Sequence, residues 1–265
     1  MALVAAAAIA ALASPAGISG AVLLLPFPVS VLGTPSPAVT PTNLLYNVVA
    51  TPGALFRYWR QGQSGGRLSR LLAAGTLPGV VAGSIIRVTL LPSAAVFDLV
   101  VAAVLLPTGG WLAATRPAPP MPGTGGPTAT ATSGSAEAGP ALVALVALAA
   151  AVGCVGGIYG IGGGSILAPV LIGRGRHPAE VAPAALASTF LTSVAGVLTF
   201  TILATQHHGS VAPDWPTGIA LGVGGLMGGY AGAWLQPRLP DTAIRRLIAV
   251  LVMAIGARYL WSGLS

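Results

Sequence analysis

Gly160-Ile-Gly-Gly-Gly-Ser-Ile-Leu-Ala-Pro169 repeats a phrase first met as Gly17-Ile-Ser-Gly-Ala-Val-Leu-Leu-Leu-Pro26, 143 positions earlier. The same offset pairs Pro35 with Pro178, Gly53 with Gly196 and Leu55 with Leu198. A slightly larger one pairs Pro92, Ala95, Leu99 and Leu112 with Pro240, Ala243, Leu247 and Leu260. Both copies lie in nearly unbroken apolar sequence. A duplicated hydrophobic segment interrupted by Gly and Pro points to a membrane transporter with its site between two halves.

Composition agrees. Hydrophobic residues make up 54% of the chain and charged residues 6%, and mean hydropathy is +0.85. A soluble domain carries about 25% charged residues, so this chain has too few to coat a water-facing surface. The expected class is an all-α polytopic membrane protein; the strand-sized alternation of a β-barrel is absent. Gly (37) and Pro (23) are abundant, which lipid tolerates because neighbouring helices and polar side chains satisfy the freed backbone groups. The net charge of +7 comes from arginines in short loops rather than on one face, so nucleic acid is not expected as a partner. One cysteine, Cys154, excludes an intrachain disulfide and a multi-cysteine metal site. The apolar N-terminus lacks the positive n-region of a signal peptide and runs into the repeated phrase, so it reads as a structural helix.

Four apolar segments (about 2–32, 38–56, 68–90 and 93–114) precede a Pro/Gly/Thr/Ser linker at 115–139. Four more follow it, at about 140–172, 180–204, 215–235 and 241–262. The expected organisation is a first transmembrane repeat at 1–114, a flexible cytoplasmic linker at 115–139 and a second repeat at 140–265. As one helix, 140–172 would be ~50 Å long against a hydrocarbon core of ~30 Å. A hairpin of two shortened helices meeting at Gly160–Gly164 resolves the mismatch, and the first segment reads the same way with its break at Gly17–Ala21. Arginines support this. With hairpins, ten face the cytoplasm and only Arg87 and Arg258 lie outside; with eight simple spans the tally is six against six. The positive-inside bias favours hairpins and turns the second half upside down relative to the first. The expected fold is therefore two inverted-topology repeats, each a broken-helix hairpin plus three transmembrane helices.

The pattern Gly-Ile-Gly-Gly-Gly-x-x-x-x-Pro-x-Leu at 160–171 and its weakened copy from Gly17, the latter followed by Thr40-Pro-Thr-Asn-Leu-Leu and Gly53-Ala-Leu-Phe-Arg-Tyr-Trp-Arg-Gln-Gly62, resemble the TauE/SafE family of sulfite exporters. Pro78-Gly79-x-x-x-Gly83 and the late Leu-Pro helices extend the resemblance over nearly the whole chain. It implies a bacterial inner-membrane protein, built by duplication, that exports sulfite or an organosulfonate such as sulfoacetate. Departures fall near the expected site: Ser19 and Ala21 interrupt the first glycine cluster, Pro41 stands for the family's Gly, and Pro183-Ala-Ala-Leu-Ala-Ser188-Thr189 replaces a Gly-Thr-Ser.

An anion carrier needs donors and positive potential at membrane depth without a fixed full charge. The N-terminus of a broken helix supplies unsatisfied N–H groups and about half a positive charge. Candidate substrate contacts are therefore Ser19, Gly20 and Ala21 at the first break and Gly162, Gly163, Gly164 and Ser165 at the second. Polar residues within the following apolar helices add Asn43 and Asn47, then Ser188, Thr189 and Thr192, as donors to sulfite or sulfonate oxygens. Each can instead bond between helices or, for glycine, only permit a turn.

Pro78-Gly79-x-x-x-Gly83 and Gly224-x-x-x-Gly228-x-x-x-Gly232 read as faces for close helix crossing. The glycine phrase lacks the βαβ context and the Lys-Ser/Thr of a nucleotide loop. Of five acidic residues, four sit in loops or at helix ends and Asp98 about one turn inside a span, where it is expected to pair with Arg87. His207 and His208 read as solvated loop residues and Cys154 as a small packing residue. No cofactor or metal is expected. The partners are a small anion and the lipid bilayer, with a homodimer left open. An inside-negative potential expels a monovalent anion with about 2.3 kcal/mol per 100 mV, so export needs no further coupling. The competing readings are an uptake carrier for another oxyanion or carboxylate, a membrane enzyme of sulfur metabolism using Cys154, and a non-transporting scaffold.

Overall fold

The computed structural model describes residues 2–24, 36–63, 66–90, 99, 102–103, 106–107, 109–110, 140–174, 176–206 and 211–264. Asp98, the linker 115–139, His207 and His208 lie outside them. The described elements are all helical: α1 (Ala2–Ala13), α2 (Ala21–Leu24), α3 (Ser36–Arg60), α4 (Gly66–Thr89), α5 (Pro140–Tyr159), α6 (Gly163–Gly173), α7 (Pro178–Gln206), α8 (Trp215–Leu235) and α9 (Asp241–Leu264).

Three helices among the described residues are long and apolar enough to cross a bilayer: Gly66–Thr89, Pro178–Gln206 and Trp215–Arg238. Their outward faces are apolar, with Leu191, Leu198 and Ile202 exposed on α7 and Ile219, Val223 and Met227 on α8. Exposure of this kind suits lipid rather than water. Trp215 and Trp234 are both exposed near opposite ends of α8. Their separation is about 28 Å at 1.5 Å per residue, close to the ~30 Å hydrocarbon core with an aromatic belt at each interface. Helix α3 is as long, but Thr40, Thr42, Asn43, Asn47 and Thr51 dilute its apolar character. All five are buried in the protein.

Both glycine phrases break the helix. α1 tightens into a 3-10 turn at Ser14–Ala16 and stops at Gly17, whose φ of 71° is left-handed. The Gly17 and Ile18 N–H groups fold back to the Ser14 and Ala13 carbonyls at 3.0 and 3.3 Å, a glycine C-terminal cap. α5 ends alike, with the Gly160 and Ile161 N–H groups both donating to the Gly156 carbonyl. Gly162, at φ 73° and ψ 144°, then opens α6 from a conformation almost confined to glycine. The second break is shorter than expected: Gly163 and Gly164 are already the first turn of α6, and Pro169 lies inside it.

Small residues set the helix pairs. A Cβ on Gly224, Gly228 or Gly232 would strike the Leu3, Ala7 or Ala11 carbonyl, so α8 lies backbone to backbone and parallel with α1. On α4, Gly75, Gly79 and Gly83 meet Ala149, Ala150 and Cys154, while Gly153 and Gly157 meet Thr76 and Val80, so α5 runs parallel to α4. α3 lies along α8, with Leu45 on Gly218 and Val49 on Gly222. α3 and α7 are antiparallel: Leu44 and Leu45 pack with Val197 and Phe200, and Ala54 and Tyr58 with Ala182 and Leu186. Gln61 donates to the Ala233 carbonyl at 3.3 Å and Gln236 to Pro178 at 3.2 Å. Those bonds gather Arg57, Arg60, Arg174, Arg176 and Arg238 at one end of the bundle.

Arg87 departs from expectation. It is only 3% exposed, in the last turn of α4, with Nε donating to Thr40 Oγ1 at 3.5 Å. The early start of α3 at Ser36 brings Thr40 over it; Asp98, its expected partner, lies outside the described residues.

Candidate functional site

The two breaks touch. Ser19 N–H donates to Ser165 Oγ at 3.1 Å, across 146 positions of sequence. Ser165 Oγ lies 3.2 Å from Thr189 Oγ1 on α7. On the other side, Ser19 Oγ donates to Asn47 Oδ1 on α3 and accepts the Ala21 N–H at 3.2 Å. Asn47 Nδ2 reaches the Gly160 carbonyl at 3.4 Å. A continuous path therefore runs from α7 through both breaks to α3 and back to the end of α5. Its side chains are hydroxyls and one amide, all buried.

Local chemistry explains these positions. Ser19 bonds the N–H two residues on, the short-range habit that places serine at helix starts. Asn43, one turn before Asn47, donates to the Ala21 carbonyl at 3.2 Å, so α3 presents two amides to the first break. Gly20 packs against Tyr46, where a Cβ would stand 2.5 Å from the phenolic oxygen. Gly162 packs against Thr189 and Ser193, Gly163 against Thr76 and Gly164 against the Ala185 carbonyl. Gly162 gives α6 no side-chain cap. The first turn of an eleven-residue helix is thus buried beside Ser165 and Thr189 without a capping side chain, an arrangement able to receive an anion.

Two candidates have other bonds. Ser188 Oγ pairs with Thr76 Oγ1 at 2.9 Å, linking α7 to α4. Thr192 Oγ1 donates to its own helix, at the Ser188 and Thr189 carbonyls. Ser19, Ala21, Asn43, Asn47, Gly162, Gly164, Ser165 and Thr189 stand in one neighbourhood, and Thr192 faces back to its helix. Cys154 packs its backbone on Gly79 and Gly83 and is outside this network.

The sequence reading passed over Tyr46, Thr51 and Ser14. With Ser19 and Gly20 they line a cavity of about 10 Å³, closed further by Ala50, Gly225 and Gly229. That is room for about one water molecule, not for an oxyanion. A signal was available, because the 143-residue offset pairs Tyr46 with the chosen Thr189.

Against this geometry, the family model for the sulfite exporter TauE/SafE matches residues 2–259. The chain belongs to the TauE/SafE family. No curated protein and no solved structure matches it. TauE/SafE membership and the apolar helices make it a multi-pass membrane protein of a transport family, which suits a buried site without charged side chains.

Proposed function

We propose that this TauE/SafE protein is a secondary carrier that exports sulfite or a small organosulfonate by alternating access around the contact between its two helix breaks. The observation carrying this reading is the Ser19–Ser165 bond. It joins equivalent phrases of a duplicated sequence at the centre of a buried donor network.

The two halves, 1–114 and 140–265, are inverted repeats flanking the linker. Their packing supports this, because relations in one half return in the other. The first arm of each hairpin, α1 or α5, runs parallel to the third long helix of the opposite half, α8 or α4. The second long helices, α3 and α7, cross antiparallel at the centre. The arginines gathered at one end support a cytoplasmic assignment of that end in the inner membrane.

Transport works by exchange of partners. In the closed arrangement the Ser19 N–H donates to Ser165 Oγ, while Asn47 accepts from Ser19 Oγ and donates to the Gly160 carbonyl. Rocking of one half against the other separates the breaks and frees these donors, together with the first-turn N–H groups of α6, for the oxygens of the anion. Neutral donors hold an anion without a full countercharge, so release stays fast. The test is thermal stabilisation of the purified protein by sulfite, thiosulfate, sulfoacetate, sulfate, phosphate, chloride and acetate, with Ser165→Ala alongside. Selective stabilisation by sulfite or a sulfonate, weakened roughly 10- to 100-fold in concentration by the substitution, is expected for loss of a hydrogen bond to a charged group. No response to any of these anions refutes the site.

A further inference from the structure

The cavity beside the first break contains a group that the closed network leaves unused. Tyr46 is 1% exposed, and its hydroxyl finds no hydrogen-bond partner among the described residues. Buried polar groups are nearly always paired, and a buried tyrosine ordinarily finds a partner for its hydroxyl. Phenylalanine would fill the same volume without an orphaned oxygen. The packing leaves room for this oxygen: a Cβ on Gly20 or on Gly225 would stand 2.5 Å from it, so side chains are missing on both sides. Tyr46 borders that small cavity together with Ser14, Ser19, Gly20 and Thr51.

We propose that Tyr46 is a substrate-binding residue, its phenolic hydroxyl donating to an oxygen of the anion when the cavity between the first break, α3 and α8 opens. This rests on the carrier reading above and deepens it. The chemistry fits an oxyanion with several equivalent oxygens. Ser19 is bonded to Ser165 and Asn47 and also lines the cavity that Tyr46 borders, so the four groups lie around one place where an anion can be held. A phenol donates strongly without adding a fixed charge. In the closed form the hydroxyl has no partner among the described residues, so binding breaks no bond to them.

The experiment uses the full chain with Tyr46→Phe, and sulfite as the probe in both reconstituted exchange and thermal stabilisation. The half-saturating sulfite concentration is expected to rise roughly 10- to 100-fold, the range for a lost hydrogen bond to a charged group. The melting temperature without anion is expected to stay level or rise, because an unpartnered buried hydroxyl has been removed. A fall in that temperature would show that the hydroxyl has a structural partner and overturn the proposal. Unchanged half-saturation in Tyr46→Phe, with wild type responding and Ser165→Ala impaired, overturns this inference alone. If wild type itself ignores sulfite, thiosulfate and sulfoacetate, the carrier reading fails and Tyr46 with it.

Discussion

Asn47→Leu tests whether the two breaks are held together as described. Leucine keeps the branched shape, though it is bulkier, and removes two bonds: the one Asn47 Oδ1 accepts from Ser19 Oγ and the one Nδ2 donates to the Gly160 carbonyl. Interhelical side-chain bonds in membrane proteins average about 0.6 kcal/mol and reach about 1.7. Two such bonds come to about 1–3 kcal/mol. A buried acceptor at Gly160 and a hydroxyl at Ser19 are also left to find new partners, which adds about 1 kcal/mol or more. The expected loss is about 2–4 kcal/mol. The assay uses Cys154, the single thiol, half-buried where α4 packs on α5. Its labelling by a fluorogenic maleimide during heating in detergent reports the opening of that packing. Asn47→Leu should be labelled at a melting temperature several degrees lower. Labelling at the wild-type temperature would refute the reasoning, since Asn47 would then not join the breaks.

The remaining predictions concern packing and chemistry. Gly228→Val drives a side chain into the Ala7 carbonyl, so α1 and α8 must separate; little monodisperse protein should survive size-exclusion chromatography, whereas Gly110→Ala, with nothing near it among the described residues, should purify normally. Cys154→Ser should leave sulfite exchange within about twofold of wild type, because the thiol lies outside the donor network; abolished activity would favour thiol chemistry instead.

Much of this was legible in the sequence for a definite physical reason. Glycines that end α1 and α5 adopt left-handed backbone, and this need survives duplication as a repeated phrase, visible at Gly17 and Gly160. The crossing faces at Gly79, Gly83, Gly224, Gly228 and Gly232 were legible because close backbone approach admits only small residues. Side-chain direction was harder. Thr192 looked like Ser188 and Thr189 in sequence, yet its hydroxyl folds back on its own helix, as threonine readily does. Tyr46 was passed over despite its offset to Thr189, because an aromatic at helical spacing reads as core; the packing shows its hydroxyl without a partner among the described residues. Arg87 read as an outer helix end paired with Asp98, because a helix end gives no sign of the neighbour, here Thr40, that covers it.

The central claim is anion transport through the contact between the breaks, and sulfite counterflow in proteoliposomes tests it most directly. Vesicles loaded with unlabelled sulfite should take up radiolabelled sulfite transiently and saturably, and an inside-negative potential should speed net efflux. Ser165→Ala should slow the exchange at limiting sulfite. Flux no greater than in protein-free liposomes, across sulfite, thiosulfate and sulfoacetate, would contradict the account.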